Sequence, residues 1–580
     1  MQAKKKLEKP MTKKTNIKKN KKAEEKNQER KPGKTSKSTT GKNIKNTKFN
    51  NSYIDSLEEK IISQEHIDIH DFESIGAGQS TQKGVHKTNS SVANAGRKKL
   101  SKGKGDEDKA KKRKTRSREF AIVSYIFVGL FIMMIGYFVY FNLFLAVDVI
   151  NSPYNTRQTL FEDRIIRGEI QARNGEVLAR TDIYDDGTET RIYPYGSIFA
   201  HVVGYASHGR KGIESLENYS LLASNTFILN RMGNAFAEKK NQGDTVVTTL
   251  DVKLQEVAYS ALAGYSGAVV VIDASTGKIL VNISLPDFNP NTIDAEWEAI
   301  NSNTEDATLL NRVYQGQYPP GSIFKMLTLL AYMRENSNYE EYTYECTGSI
   351  TVGEGEEAVT VSCFGETVHG VQNLEQSLAN SCNTSFCNIG LLIDNDAFAT
   401  LAKEFFFNVE LPVQLSSSIS QFTLNSKSSE GESIMTAIGQ GNTLVSPMQM
   451  AMITASIANG GILMKPYLID RIESADGNLV TSYTPTILNT LMTTVEAEVL
   501  SRYMTSVVEY GTAAALSGNG YTVAGKTGSA EATEGTHSWF VGFSNVDNPD
   551  IIVSIVAENA GNSSGVAVPI AKQIFDAYYR

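Results

Sequence analysis

One short segment of this 580-residue chain, Pro319-Pro320-Gly321-Ser322-Ile323-Phe324-Lys325, sets a hydroxyl and an amine one helical turn apart. A serine that attacks an acyl carbon needs a base beside it, an oxyanion site and donors that hold the acyl group. Gly321 and Ser322 open an apolar stretch that runs on through Met333. The spacing predicts a helix with Ser322 in its first turn and Lys325 on the same face. Positive potential at a helix N-terminus favours a neutral amine and a developing alkoxide, and a neutral lysine beside a serine is a competent base. Two further segments supply the missing parts. In Ser381-Cys382-Asn383 a hydroxyl can relay a proton and an amide can hold a carbonyl. In Lys526-Thr527-Gly528, at the end of the strand-like run Tyr521–Ala524, the lysine adds a positive field that lowers the Lys325 pKa. Thr527 can bind a terminal carboxylate there, and Gly528 lets a substrate backbone approach the strand edge.

Taken singly, these patterns are weak. Ser-x-x-Lys recurs at Ser80/Lys83, Ser101/Lys104 and Ser275/Lys278, and Ser-x-Asn recurs at Ser517/Asn519. Context separates them. The first two pairs lie in a basic tail, Ser275/Lys278 spans a turn whose Ser and Gly suit turn geometry without chemistry, and only Ser322 opens an apolar helix. The three segments come in a fixed order, 59 and 145 residues apart, and Lys526-Thr527-Gly528 is the only such triplet in the chain.

The elements that must position these groups begin near Asp244. Strands are expected at Gly267–Ile272 and Lys278–Ile283 around a turn at Asp273–Gly277, then helices such as Ser446–Ala458. Strands return at Tyr521–Lys526, Ser538–Phe543 and Ile551–Ala557, and Val568–Tyr579 closes the chain as an amphipathic helix. That order implies an α+β fold, an α/β sandwich whose sheet draws strands from both ends of residues 244–580. Residues 148–243, with β-rich runs at Ile165–Ile170 and Thr190–Tyr193 and a turn signal at Asn174-Gly175, read as a small stalk domain.

Upstream lies a single apolar segment, Phe120 to Val147, in which Ala121–Phe141 carries no charge and is long enough to span a bilayer as a helix. It divides the charge. Residues 1–118 hold 33 Lys+Arg against 14 Asp+Glu, about +19, and the remainder holds 24 against 50, about −26. The first part is expected to be a disordered basic tail. Six Lys and Arg between Lys111 and Arg118 flank the segment, with no Lys or Arg beyond it until Arg157, so the tail is expected in the cytoplasm and everything after about residue 150 outside. The four cysteines do not form a disulfide scaffold. Cys346 and Cys363 are candidates for one bridge after export, and Cys382 and Cys387 read as buried thiols. No ligand spacing pairs them with the seven histidines, so no metal is expected.

The ordered triple signature is shared by penicillin-binding proteins and class A β-lactamases, and the chain resembles the monofunctional class B branch of the penicillin-binding proteins. Arg167-Gly168-Glu169-Ile170 with Arg173-Asn174-Gly175, Tyr193-Pro194, and His201-Val202-Val203-Gly204-Tyr205 are similar to that branch's stalk signatures, as is Ser152-Pro153-Tyr154-Asn155-Thr156-Arg157 after the anchor. Gly439-Gln440-Gly441-Asn442 ahead of Ser446-Pro447, Asn459-Gly460-Gly461 and Ser538-Trp539-Phe540-Val541-Gly542 are similar to motifs of its transpeptidase domain.

The resemblance implies a peptidoglycan D,D-transpeptidase in which Ser322 attacks a D-Ala-D-Ala carbonyl and Lys325 takes its proton. Ser381 and Lys526 then pass the proton to the leaving amine, Asn383 holds the peptide, Thr527 its carboxylate, and the Ser322 and Ser529 N–H groups form the oxyanion hole. It implies stem peptides and β-lactams as ligands, a polytopic glycan polymerase as partner, no cofactor, and no nucleic acid. The bifunctional class A branch does not fit, since about 95 residues between anchor and main domain leave no room for a glycosyltransferase module, and a soluble β-lactamase needs neither anchor nor stalk. A D,D-carboxypeptidase, which shares every residue named, and a non-catalytic penicillin-binding scaffold remain as alternatives.

Overall fold

The structure, a computed structural model, describes residues 105–141, 164–303 and 306–580. Most of the basic tail and the segment 152–157 lie outside the described residues. Helix α1 spans Gly105–Tyr140, so the stretch from 105 to 118, expected to lack structure, is helical. Asp106, Glu107 and Asp108 at its start suit the helix dipole, Ala, Lys and Arg are strong helix formers, and the apolar run supplies the length that offsets nucleation. Within it Phe120–Tyr140 is a 21-residue apolar stretch long enough to cross a membrane, with its large apolar side chains exposed.

After α1 the chain builds a six-stranded sheet from β1 (Ile170–Gln171), β2 (Val177–Ile183), β3 (Glu189–Ile192), β4 (Thr245–Thr248), β11 (Ile469–Glu473) and β12 (Leu479–Ser482), in the order β12-β11-β4-β1-β2-β3. The chain therefore returns to this sheet some 220 residues after β4, and β11 pairs antiparallel with β4. Between β3 and β4, the short helix Gly212–Leu216 carries Glu214, which is wholly buried. Arg167 donates from Nε to Glu214 Oε2 (2.6 Å), Arg191 from Nε to Oε1 (2.8 Å), and Tyr193 from its hydroxyl to Oε1 (3.1 Å). Burial pushes this carboxyl up, but the Arg167 and then the Arg191 guanidiniums outweigh it and hold the Glu214 pKa below its ordinary value. Thus Arg167 and Tyr193, met in the sequence as stalk signatures, are parts of one buried ion cluster.

The second sheet has five antiparallel strands in the order β13-β14-β15-β5-β6: β13 (Val523–Ala532), β14 (Gly535–Ser544), β15 (Ile551–Ala557), β5 (Gly267–Asp273) and β6 (Ile279–Leu285). It is assembled from both ends of residues 244–580, as the pattern of runs implies. Helices cover both faces, which is why β6 and β15 are buried at every residue instead of alternating. Ser554 of β15 donates to Pro447 O of helix α6 (Pro447–Ala458) at 2.9 Å. Phe540 of β14, which points to the opposite face, packs edge-on against Phe575 of α8 (Ala567–Tyr578), with ring centroids 6.5 Å apart. Helix α2 (Val252–Leu262), capped by Asp251 accepting from Leu254 N, packs beside α8. This is a three-layer sandwich. Lys526-Thr527-Gly528, expected at a strand end, lies in the middle of ten-residue β13, paired with Val541, Phe540 and Trp539. Gly, Lys, Ala and Glu, which make up most of β13, are depleted in strands, and here the complete ladder with β14 overrides their weak local preference.

Candidate active site

The segment that carries Ser322 folds as a 3₁₀ turn, Gly321–Phe324, that passes directly into α3 (Lys325–Glu335). Its geometry is held from outside. Gly321 N donates to Gly439 O (2.8 Å), and the buried Trp539 indole donates to Pro319 O (3.1 Å). Gly321 has φ +56°, and a Cβ there would stand 3.0 Å from Ser529 O and from the Ala530 side chain. A Cβ on Gly528 would lie 3.0 Å from Pro320 O and Ile323 Cγ2, so this glycine lets the edge strand β13 close on the Ser322 turn. Gly439 and Trp539 belong to segments singled out in the sequence, and their work is to brace this turn.

The second segment precedes α5 (Asn383–Leu391), with Cys382 at its N-cap. Ser381 has φ +53°, a left-handed conformation that costs a residue with a side chain roughly 1–3 kcal/mol and is held only by its surroundings. Here the two lysines meet. Lys325 Nζ lies 2.8 Å from Ser381 O, 3.3 Å from Ser381 Oγ and 2.8 Å from Asn383 Oδ1. Lys526 Nζ lies 3.0 Å from the same Ser381 Oγ and 2.8 Å from Thr527 O. Both lysines are completely buried, and among the described residues no carboxylate forms an ion pair with either. Burial lowers the Lys325 pKa to about 8, and burial followed by the Lys325 charge pushes Lys526 well below its ordinary value. With that pKa about a tenth of Lys325 is neutral at pH 7, far more than of an ordinary lysine, and the neutral amine is a general base.

Ser322, Ser381, Asn383, Thr527 and Ser529 line one cleft of about 600 Å³, with Lys325 and Lys526 buried beneath it. The structure thus draws together residues spread over some 200 positions of sequence. Ser275 and Lys278 are elsewhere: Ser275 Oγ bonds Asp273 in the hairpin turn, and Lys278 pairs with Asp470 at 2.7 Å. Asn519 bonds Leu516 O and Lys572, away from the cleft.

Residues 267–576 match the family model described as the penicillin binding protein transpeptidase domain, more than half of the chain. The chain belongs to this penicillin-binding protein family. Residues 167–246 match a second family, the penicillin binding protein A dimerisation domain. Among penicillin-binding proteins the chain is 28 % identical to the peptidoglycan D,D-transpeptidase PbpA of Mycolicibacterium smegmatis over 475 residues, 76 % of this chain and 94 % of the relative. Among solved structures it is similar to the D,D-transpeptidase domain of a peptidoglycan glycosyltransferase from Eggerthella lenta, at 32 % identity and TM-score 0.65, covering 72 % of this chain and 98 % of that one. It is also similar to penicillin-binding protein A from M. tuberculosis captured as a ceftriaxone acyl-enzyme, at 25 % identity and TM-score 0.66, covering 72 % of this chain and 99 % of that one.

Some groups of this penicillin-binding protein's cleft carry no sequence signal. Thr512 bonds Thr527 through their hydroxyls at 2.5 Å, and Ser563 lies 3.4 Å from Ser529 Oγ. Both come from loops whose place is set by the elements around them. The cysteines differ most from expectation. All four are free thiols, and Cys346 and Cys363, read as candidates for a bridge, have sulfurs 3.7 Å apart. Cys382 and His369 join them in one cluster although no metal spacing was legible, because the four residues converge through tertiary contacts, not through a local motif. Cys387 is buried alone beside Ile434 O, as expected.

Proposed function

We propose that the chain is a membrane-anchored peptidoglycan D,D-transpeptidase and that Ser322 is its nucleophile. The observation that carries the assignment of residues is that two fully buried lysines, with no acidic partner among the described residues, share the Ser381 hydroxyl in the cleft that Ser322 also lines. In acylation the Ser322 oxygen attacks the carbonyl of the penultimate D-alanine, and Lys325 accepts the hydroxyl proton. The new ester forms as the bond to the terminal D-alanine nitrogen breaks. The proton reaches that nitrogen through Ser381, with Lys526 at its side, so D-alanine departs as a neutral amine. Asn383 holds the stem-peptide amide, Thr527 takes the terminal carboxylate, and Gly528 and Ser529 on the unpaired edge of β13 receive the peptide backbone. The Ser322 and Ser529 N–H groups stabilise the oxyanion. An amine of a second strand then attacks the ester, releases Ser322 and leaves a cross-link. β-Lactams enter the same first step and remain as the ester.

Phe120–Tyr140 supports a single-span anchor, and the basic run at 111–118 supports a cytoplasmic N-terminus with the cleft outside. A polytopic glycan polymerase that supplies nascent strands is the partner this arrangement calls for.

Full-length protein in detergent should label with a fluorescent β-lactam, and Ser322→Ala should abolish the label while retaining the wild-type melting transition. Labelling that persists in Ser322→Ala would overturn the assignment. Turnover of a donor stem peptide with an added D-amino acid should give the exchanged peptide in excess of the hydrolysed one; hydrolysis alone would make the enzyme a carboxypeptidase.

A further inference from the structure

Beside the cleft, Cys346, Cys363, His369 and Cys382 bring one ligand atom each to within 4.8 Å of one another. They arrive from separate places. Cys346 ends β7 (Tyr344–Cys346), and Cys363 follows β9 (Val359–Ser362), which pairs with β8 (Ser349–Val352). His369 precedes β10 (Gly370–Gln372), the partner of β7, and Cys382 is the N-cap of α5. The three sulfurs are buried.

The distances discriminate between a disulfide and a metal site. Cys363 Sγ is 3.7 Å from Cys346 Sγ and 3.7 Å from Cys382 Sγ, so it sits evenly between two possible partners, and neither is near the roughly 2.05 Å of a bonded pair. A tetrahedral zinc with Zn–S of about 2.3 Å places its sulfurs about 3.8 Å apart, and with Zn–N of about 2.0–2.1 Å it places sulfur and nitrogen about 3.5 Å apart. The observed separations are 3.7 Å twice and, from Cys346 Sγ to His369 Nδ1, 3.4 Å. A single bridge would leave the third thiol and the imidazole without a purpose in the same cluster. Thr384 adds a hydroxyl 3.4 Å from Cys382 Sγ and 3.7 Å from Cys363 Sγ, the outer-shell donor that thiolate ligands use.

We infer that Cys346, Cys363, His369 and Cys382 bind one zinc ion that clamps the 344–372 hairpins to the start of α5. Four protein ligands leave no open position, so the ion is structural and takes no part in the acyl transfer. Its place gives it a consequence for the cleft. Cys382 is the residue between Ser381 and Asn383, so a metal bond there holds Ser381 in its left-handed conformation. Asn383 also donates to Ser362 O, one residue from Cys363, at 2.8 Å. The ion thereby ties one wall of the cleft to the segment where the two lysines meet.

The test is the metal content of the full-length chain purified in detergent without added metal, measured by elemental mass spectrometry alongside a thiol count and β-lactam labelling. One zinc per chain is expected, with at least the ~10–100-fold loss of affinity that an outer-shell substitution already causes in both Cys363→Ser and His369→Asn. Replacement by cobalt(II) should give the intense visible bands of a tetrahedral thiolate site. Should both variants misfold, wild-type protein decides alone: four thiols reactive after unfolding with chelator support the site. A Cys346–Cys363 disulfide in a non-reducing peptide map, metal-free wild-type protein, or wild-type zinc content in Cys363→Ser overturns it. Ser322→Ala should keep its zinc while losing the β-lactam label, so failure of the metal site and failure of the transpeptidase assignment are read separately.

Discussion

Two of the regions of this protein that bury charge do so in opposite ways. In the stalk, Glu214 is wholly buried between Arg167 and Arg191, with Tyr193 and backbone acceptors completing the cluster. In the cleft, Lys325 and Lys526 are equally buried but their hydrogen-bond partners among the described residues are a hydroxyl, an amide oxygen and backbone carbonyls, with the Phe386 ring 5.3 Å from Lys325 Nζ. The difference decides what each region can do. A paired buried charge stays ionised and fixes geometry, whereas an unpaired one is driven towards its neutral form. For a lysine that neutral form is the base.

This contrast can be broken most directly at Lys325. Lys325→Met removes a buried unpaired amine for an apolar chain of similar length, so β-lactam acylation of Ser322 should fall by ~10²–10⁴-fold while the melting temperature holds or rises. Glu214→Ala is the reverse experiment. It leaves two guanidiniums buried without their carboxylate and should cost about 3–5 kcal/mol in denaturant unfolding, with the acylation rate of the molecules that remain folded unchanged.

The pH dependence sharpens the same point. With the Lys325 pKa lowered to about 8, the neutral amine is lost as pH falls below that value, so the acylation rate should drop close to tenfold per unit on the acid side and level off above. Glu214 has a folded pKa below its ordinary 4.5, so its stabilisation is present above that value and disappears only as pH falls further, through the folded pKa. At pH 6, then, the protein should be folded and slow. The smallest effect is expected at Lys278, the lysine of the rival Ser-x-x-Lys pair. Its amine has a carboxylate partner in Asp470, about a third exposed, so Lys278→Ala should change stability by no more than about 1 kcal/mol and leave labelling intact. Reduced labelling in Lys278→Ala would erase the distinction between the two lysines.

Legibility in the sequence followed the range of the interactions. The hairpin β5–β6 was readable as two short apolar runs around a turn, helix α6 from its apolar length behind the Ser446 cap, and the closing helix α8 from its 3.6-residue period, all of them local signals. Lys526-Thr527-Gly528 was readable as a motif but misplaced as an element, since the strand that carries it is stabilised by β14 and not by its own residues. The left-handed turn at Ser381 and the Thr512–Thr527 contact left no trace in the one-dimensional pattern.

The sequence alone determined the apolar span, the order of strands and helices, and the three segments that line the Ser322 cleft, because hydrophobic length, periodicity and short motifs are local quantities. Only the tertiary structure decided which charges are paired, that β11 and β12 rejoin the stalk sheet, and that three cysteines and a histidine share one point. The physical reason is that pairing and convergence depend on loop closures tens to hundreds of residues long, which are settled by the packed core as a whole and by no segment within it.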